Sequence, residues 1–449
     1  MRLAKYGFTV SMLGLGLGLI GSPAISSAAN WVKLQDVSPA SAPAVHISGF
    51  IEPIYSSTSG TATINGATPN ENLIGPGLNS SSDFNILRAR LIVRGYINRY
   101  FSYFFAGEFG NNSFSNPGTG YAPRLQDGHV TLSYLPGVRV TAGIIRAPGP
   151  ENAMQGYMAY DFTAFPAVIQ QLMFQTFYNP RPTKGYVASA GGYLVPASGV
   201  QGTNAFRYTG IAAEDWFRNG PWEFTYDTML GSFAPLTAIG QPGDGPIFAA
   251  RLQESYIFGG HGPYRSDLTG FVWAQYAHPQ FDDRFYALSR QGLGVTYMQN
   301  EFHTGGRWFK AEYMQGSGMI DTSPAFGIQL ATIRSPTLTQ AQVYPGVGNR
   351  AYGYYVGGGV FVTPKLELDL RYDYYNRLPN NHAQNRVFHT VTAGIQYHLA
   401  PLDKIMVDYA IRSLDVPYPT AAPPASRPIV ASISRSIDNQ ITAELVLSF

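Results

Sequence analysis

The sequence predicts an all-β fold, a transmembrane antiparallel up-and-down β-barrel, from three observations. Segments of about ten residues alternate apolar and polar side chains, as strands with two unlike faces do. A secretory signal peptide precedes them, and the chain closes on one more alternating segment that ends in an aromatic residue. Charged residues make up only 13% of the chain and aromatic residues 14%, a balance typical of barrels whose outer wall faces lipid.

The amino-terminal region has the parts of a signal peptide. Arg2 and Lys5 precede an apolar run from about Phe8 to Ile20, and small residues follow. That run is too short to span a bilayer as a helix, which takes about 20 apolar residues. We expect three regions: a signal peptide over 1–29, a periplasmic lead-in rich in Ser, Ala and Pro over 30–44, and a barrel over 45–449.

One strand, from Phe84 to Ile97, carries charge on a single face. Its apolar face has Leu87, Ala89, Leu91, Val93, Gly95 and Ile97, and its other face has Arg88, Arg90 and Arg94. The arginines should line the lumen, because an arginine that faces the bilayer midplane costs about 2–4 kcal/mol. Alternatively they are structural and pair with carboxylates of neighbouring strands, for which Glu108 and Asp127 are candidates.

The connections between predicted strands alternate between short and long. Tight links at 98–99 and 135–137 suit the periplasmic side. Long polar segments at 58–82, 111–124 and 322–349 suit the external side. A strand every 25 residues or so over the mature chain gives about 16 strands, with 14 or 18 within error.

The last alternating segment, 441–449, ends the chain on Phe449. This pattern resembles the terminal strand by which bacterial outer-membrane proteins are recognised for insertion. Together with the signal peptide it predicts the outer membrane as the location. The expected partners are outer-membrane lipid, lipopolysaccharide and, through Phe449, the barrel-assembly machinery.

Several segments, in order along the chain, resemble the phosphate-selective porin O and P family. They are LRARLIVRG from Leu87, LQDGHVTLSY from Leu125, AGIIRAP from Ala142 and GYYVGGGVFVTPKLELDLRYDYYNR from Gly353. The resemblance implies a homotrimeric porin of about sixteen strands, with a loop folded into the lumen and arginines that guide oxyanions. The chain departs from the family in its few lysines, six among 30 basic residues.

Alternation disappears over residues 146–185, a stretch much longer than an ordinary connection. We expect this loop to enter the lumen and to constrict it with charges of both signs, which select by size and by transverse field. Its aromatic content also allows it to cap the barrel externally or to pack at a subunit contact. The charged residues predicted to act here are Arg146, Glu151, Asp161, Arg181 and Lys184.

Enzymatic and metal-binding roles find little support. The chain has no cysteine, which excludes disulfides, thiolate metal sites and cysteine nucleophiles. It lacks a Gly-Xaa-Ser-Xaa-Gly elbow, and its histidines stand singly without the spacing of metal ligands. We predict neither an enzymatic activity nor a cofactor.

The function these observations favour is passive diffusion of small hydrophilic solutes with a preference for anions such as phosphate. Arg88, Arg90 and Arg94 would attract the anion, with Arg139 and Arg371 as weaker candidates. Without Arg2 and Lys5 the 30 basic residues become 28, equal to the 28 acidic ones, so a non-selective general porin is an alternative. A closed barrel that acts as a surface structural or adhesion protein is another.

Overall fold

Sixteen strands form a closed antiparallel barrel, as the sequence predicts. The computed structural model describes residues 43–60, 81–111, 123–156, 159–180, 186–189, 191–196, 199–236, 245–260, 265–322, 340–421, 424, 427–428 and 437–449. The predicted signal peptide and nearly all of the predicted lead-in lie outside them. The first and last barrel strands pair with each other, with Phe50 opposite Ser448 and Tyr55 opposite Ala443. The barrel therefore leaves no free sheet edge.

Each barrel strand pairs with the next barrel strand along the chain. The barrel strands are β1 (His46–Gly60), β2 (Ser81–Asn98), β3 (Phe101–Glu108), β4 (Arg124–Leu135), β5 (Val138–Arg146), β10 (Arg207–Asn219), β11 (Trp222–Phe233), β12 (Gly245–Gly259), β13 (Ser266–Ala277), β16 (Leu288–Gln299), β17 (Arg307–Ser317), β20 (Arg350–Phe361), β21 (Leu366–Arg377), β22 (Arg386–His398), β23 (Lys404–Asp415) and β24 (Ile437–Ser448).

Within the described residues, eight short strands lie between them in the chain. They are β6 (Phe174–Tyr178), β7 (Val187–Ser189), β8 (Gly192–Pro196), β9 (Val200–Ala205), β14 (Gln280–Phe281), β15 (Arg284–Phe285), β18 (Ile320–Asp321) and β19 (Gln340–Tyr344). Strand β6 pairs with β9, β14 pairs with β15, and the remaining four form a sheet in the order β18-β19-β8-β7. Among the described residues, no helix is long and apolar enough to cross a membrane.

The two ends of the barrel differ in the length of their connections. At one end, here called the turn end, tight links join β2 to β3, β4 to β5 and β10 to β11. The links that contain Gly137 and Gly220 have those glycines at φ +77° and +60°, a left-handed conformation that few other residues adopt easily. At the other end, the loop end, the connections are longer, and the longest joins β5 to β10.

Side chains along the strands alternate between the interior and the outer surface. On β12 and β13 nearly every second residue is buried, and the residues between them are exposed. The exposed positions carry apolar side chains, including Leu252 and Val272, which are 46% and 51% exposed. The inward positions carry charged, polar and aromatic side chains such as Arg251 and Trp273. The outer wall is therefore apolar, and the interior combines charged, polar and aromatic side chains.

One residue of the arginine strand lies on the opposite side from its predicted position. Leu87 is fully buried and packs in the interior with Phe50 and Ile54, so its assignment to the outer apolar face is wrong. The cause is a β-bulge: Arg88 pairs with Glu52, but the next residue of β1, Pro53, pairs with Ile86. The extra residue shifts the alternation locally. Beyond the bulge, Leu91 and Ile97 face outward as predicted, at 42% and 59% exposure.

Candidate channel interior

The two inward arginines near the middle of β2 are each paired with a carboxylate. Arg88 contacts Glu52 of β1, and its Nη1 lies 3.9 Å from Glu444 of β24. Arg90 Nε donates a hydrogen bond of 2.6 Å to Glu108 Oε2 of β3. Both arginine side chains are less than 5% exposed. The pairing of Arg90 with Glu108 is one of the structural alternatives that the sequence allows.

The predicted arginines Arg94 and Arg139 lie closer to the turn end. Arg94 is partly exposed and stands opposite His46 of β1 and Phe104 of β3. Arg139 is buried on β5, and its guanidinium lies 5.4 Å from the ring centroid of Trp216. Arg139 Nε also lies 3.4 Å from Ser133 Oγ of β4.

Arg371 of β21 contacts the long connection between β5 and β10, here called the long segment (147–206). Its Nη1 donates a 2.6 Å hydrogen bond to the carbonyl oxygen of Ala164. Its guanidinium lies 4.5 Å from the ring centroid of Phe162, and its Nε is 3.4 Å from Asp373 Oδ2. Arg371 therefore fastens the long segment to the barrel wall.

Two of the predicted loop residues hold the start of the long segment. Arg146, at the end of β5, donates through Nη1 to the carbonyl oxygen of Gln155 at 2.8 Å. Glu151 begins a short helix, Glu151–Met154, and its Oε2 accepts a 2.7 Å hydrogen bond from Arg251 of β12. The backbone N–H of Glu151 donates to Glu312 Oε2 of β17 at 3.2 Å. This part of the segment contacts two separate barrel strands.

A third predicted residue, Asp161, lies at the far side of the segment. Its Oδ2 accepts a 2.6 Å hydrogen bond from Lys310 Nζ of β17. Its backbone carbonyl accepts a 3.0 Å bond from Gln396 of β22. The other two predicted loop residues, Arg181 and Lys184, lie outside the described residues.

Further contacts carry the long segment across to the last strands of the barrel. The N–H and Oγ1 of Thr163 donate to Asp408 Oδ2 of β23 at 2.7 and 2.9 Å. Thr163 Oγ1 is also 2.6 Å from Thr442 Oγ1 of β24. The N–H of Ala167 donates to Asp373 Oδ1 at 3.0 Å. All these partners are buried residues of the inward face, so the described part of the segment lies against the interior of the wall.

Sequence reasoning missed several charged residues of the interior. Arg207 donates to Asp127 at 2.9 Å, so Asp127 neutralises Arg207 rather than an arginine of β2. Arg265 contacts both Glu223 of β11, at 2.6 Å, and Asp267, at 2.5 Å. The sequence did carry a signal for an inward polar face, because the polar residues of β11 and β12 recur at every second position. The ion-pair partners of these residues could not be predicted from the sequence, because they depend on the register between neighbouring strands.

Apolar side chains of the long segment pack against aromatic side chains of the wall. Phe165, Val168, Ile169 and Leu172 are all at most 5% exposed. They belong to one cluster with wall residues from six strands, namely Phe50, Leu87, Phe271, Trp273, Met314, Tyr355 and Tyr375. Most of the inward charged side chains are also nearly excluded from solvent. In the described part of the chain, the middle of the barrel is therefore packed rather than open.

No group of three or more His, Asp or Glu residues that would suit a metal ion occurs among the described residues. The buried carboxylate of Glu312 accepts hydrogen bonds from three neutral donors. It accepts hydrogen bonds from Trp273 Nε1 at 2.7 Å and from Tyr355 OH at 2.8 Å, besides the backbone of Glu151. Such an arrangement fixes the wall and the long segment to each other.

Comparison with known proteins finds the fold among porins. An anion-selective porin from Comamonas acidovorans superposes with a TM-score of 0.52 at 12% sequence identity, covering 90% of this chain and 99% of that one. OmpF of Salmonella typhi, solved with daunomycin, superposes with a TM-score of 0.50 at 12% identity, covering 90% of this chain and 97% of that one. No protein-family profile and no curated protein matches the sequence. The likeness establishes a porin-like barrel fold.

Proposed function

We propose that the protein is an outer-membrane channel of the porin type that passes small hydrophilic solutes. The observation that carries this proposal is the closed barrel with apolar side chains outside and charged side chains inside. A soluble protein does not keep so many apolar side chains exposed around its whole circumference. A barrel in lipid does, because the bilayer covers the outer wall while the backbone is fully hydrogen-bonded between strands.

Exposed aromatic side chains support a membrane setting, because transmembrane barrels carry aromatic girdles at both interfaces with water. Toward the turn end they include Phe101, Tyr134, Phe217, Trp222 and Phe449. Toward the loop end they include Phe84, Phe248 and Tyr276. With the turn end on the periplasmic side, the long connections of the loop end face the exterior, as in up-and-down outer-membrane barrels.

The long segment (147–206) is proposed as the constriction of the channel. Its described part bonds to Arg251, Lys310, Asp373 and Asp408, which belong to four different strands. Such a segment limits the size of a solute, and the charges of both signs around it set a transverse field. We assign the constriction to Arg146, Glu151 and Asp161, and extend it by sequence to Arg181 and Lys184.

Four finer features of the proposal are supported by the sequence alone. They are membership of the phosphate-selective porin O and P family, assembly as a homotrimer, delivery by a signal peptide with recognition of Phe449 by the assembly machinery, and a preference for anions. The pairing of Arg88 and Arg90 with glutamates argues that these two residues contribute less to that preference than their position suggests.

A closed barrel without conductance is the second candidate, and the packed interior favours it. Planar-bilayer recording of the purified protein separates the two. Stepwise conductance in potassium chloride is expected for a channel, and its absence across several preparations would exclude the channel. In a salt gradient, a reversal potential displaced toward chloride is expected for anion preference, and equal permeability to chloride and potassium would leave a general porin.

A further inference from the structure

Three apolar side chains of the long segment each lie against an inward-facing glycine of a different barrel strand. The pairs are Phe162 with Gly394 of β22, Val168 with Gly353 of β20, and Leu172 with Gly316 of β17. A Cβ on Gly353 would lie 2.8 Å from Val168 Cβ, and a Cβ on Gly316 would lie 2.9 Å from Leu172 Cδ1. Non-bonded carbon atoms prefer about 3.5–4.0 Å. The segment therefore sits in notches that exist because these wall positions lack a side chain.

Wall side chains, and not the wall backbone, hold this part of the segment. Asp408 accepts two hydrogen bonds from Thr163, and Arg290 Nε donates to the carbonyl oxygen of Leu172 at 3.1 Å. Among the described residues, no backbone-to-backbone hydrogen bond joins 159–173 to a barrel strand. The barrel strands themselves are joined by backbone ladders all the way round. Residues 159–173 can therefore leave the wall without breaking the sheet.

The stretches on either side of 159–173 are fixed more firmly. Before it, Glu151 bonds through its side chain to Arg251 of β12 and through its backbone N–H to Glu312 of β17. After it, β6 pairs with β9 through a backbone ladder, with Phe174 opposite Ala205. The part held by side chains alone is thus bounded by two anchored stretches.

Residues 159–173 also supply the apolar filling of the barrel. Phe165, Val168, Ile169 and Leu172 form one buried cluster with aromatic side chains of the wall. A hydrophilic solute does not cross such a cluster, because each of its polar groups would lose water without gaining a hydrogen bond. In the arrangement that the structure shows, this part of the segment therefore blocks the route that the proposed channel requires.

We propose that residues 159–173 form an autoinhibitory plug, seated in the notches at Gly316, Gly353 and Gly394 and detachable from the wall. The inference rests on the proposed channel function. The structure is then the closed state, and conduction requires the plug to leave its notches while the barrel and the two anchored stretches stay in place. A barrel with a seated and a detached plug is a two-state element whose populations set the conductance.

The first test locks the plug to the wall. The chain has no cysteine, so two introduced cysteines form a single disulfide. Thr163→Cys with Thr442→Cys, the plug pair, replaces hydroxyl oxygens that are 2.6 Å apart, within reach of a disulfide. Thr131→Cys with Thr141→Cys, the wall pair, is the matched control, because its hydroxyl oxygens are 2.9 Å apart, equally buried, and on adjacent strands β4 and β5.

Planar-bilayer recording compares each pair before and after reduction. The plug pair should lose its stepwise conductance when oxidised and regain it when the disulfide is reduced. The wall pair should conduct alike in both states, because its disulfide joins two strands that never separate.

The second test follows detachment without conduction. Val168→Cys places a thiol at a plug position that is 0% exposed, and Ala249→Cys places one at a position of β12 that is also 0% exposed. A charged, water-soluble maleimide should modify Val168→Cys faster than Ala249→Cys in the folded barrel, because only the plug position opens to water. Oxidising the plug pair in the same chain should slow the reaction to the rate of Ala249→Cys.

Filling a notch should favour the detached state. Gly316→Ala places a methyl group against the side chains of Leu172 and Arg290 and should speed the modification of Val168→Cys. Gly270→Ala is the control, because a Cβ there meets nothing within 4 Å, and it should leave the rate unchanged.

Equal reaction rates for Val168→Cys and Ala249→Cys would overturn the plug, whether or not the barrel conducts. Undiminished conductance of the oxidised plug pair, with the disulfide verified by mass spectrometry, would overturn the plug and leave the channel. A fast reaction of Val168→Cys in a barrel that never conducts would refute the channel and the inhibitory role, while the detachment would stand. The plug pair keeps the test decisive if Val168→Cys does not fold.

Discussion

Arg88 and Arg90 on β2, and Arg377 and Arg386 where β21 meets β22, are almost equally hidden from solvent, yet their surroundings differ in kind. The β2 arginines contact Glu52 and Glu108, whereas Arg377 meets an amide, an aromatic ring and tyrosines. In the first region the protein supplies its own counter-charge. In the second region Arg377 has no carboxylate within ion-pair distance among the described residues. Inward orientation alone therefore does not identify the arginines that bind a solute.

The largest expected effect comes from breaking a pair in the first region. Glu108 is fully buried and accepts from Arg90 and from the N–H groups of Ala89 and Gly110. Glu108→Ala leaves Arg90 buried without its carboxylate and should lower the free energy of unfolding by about 3–5 kcal/mol. Urea unfolding of the folded barrel measures this.

The control is Asp415→Asn, which removes a carboxylate from an exposed contact with His389 and should cost at most about 1 kcal/mol. Equal losses in the two variants would contradict the structural role assigned to the Arg90 pair.

A carboxyl in the turn between β16 and β17 gives a second, pH-dependent contrast. Burial raises the pKa of Glu301 to about 8, and Asp161 and Glu367 add to this against the attraction of Lys310. The unfolded chain has the ordinary pKa of 4.5. Between these values the folded protein binds more protons than the unfolded one, so stability should fall as the pH rises from 4.5 toward 8 and then level off.

Unfolding measured at intervals from pH 5 to pH 9 tests this, with Glu301→Gln as the comparison. The variant should show a flatter dependence in that window. Identical curves for both chains would remove Glu301 as the titrating group.

A smaller effect is expected from the second region. Arg377→Met removes a buried charge that has no carboxylate to leave behind. Its free energy of unfolding should stay within about 1 kcal/mol of the original value or exceed it. A loss as large as that of Glu108→Ala would mean that Arg377 is held by the protein itself.

The smallest effect should come from removing a whole pair. Arg90→Gln combined with Glu108→Gln keeps the net charge of the interior and replaces one hydrogen-bonding pair with another. The reversal potential in a potassium chloride gradient should not change. A reversal potential displaced toward that of potassium would instead indicate that the arginines of β2 select anions.

The sequence alone predicted the barrel, and its strand number to within two, because alternation is a local property that each strand displays independently. The tight links predicted at 98–99 and 135–137 lie within one residue of those that join β2 to β3 and β4 to β5. The prediction for Leu87 failed because Leu87 is the extra residue of a bulge in β2, opposite Glu52 and Pro53 of β1, and the bulge shifts the alternation. Proline lacks the N–H of a regular ladder and is common at bulges, so Pro53 was a usable warning.

The interior was less predictable, because its contacts join residues that are far apart in the chain. The sequence offered Glu108 and Asp127 as partners for the β2 arginines, and only Glu108 has that role, since Asp127 pairs with Arg207. Arg377 lies within a segment that carries the resemblance to phosphate-selective porins, yet nothing local marks it as different from Arg371. Only the register with Arg386 shows two positive charges meeting.

The bond between Thr163 and Thr442 also constrains how the molecule reaches its final state. These hydroxyls are 279 positions apart in the sequence, and Asp408, the other partner of Thr163, is 245 positions away. Contacts of such separation form slowly, because the entropy of closing a long loop is lost before they form. Sealing of the barrel by its last strand and ordering of its contents should therefore be one late kinetic event, and a chain truncated before β23 should leave residues 159–180 open to protease.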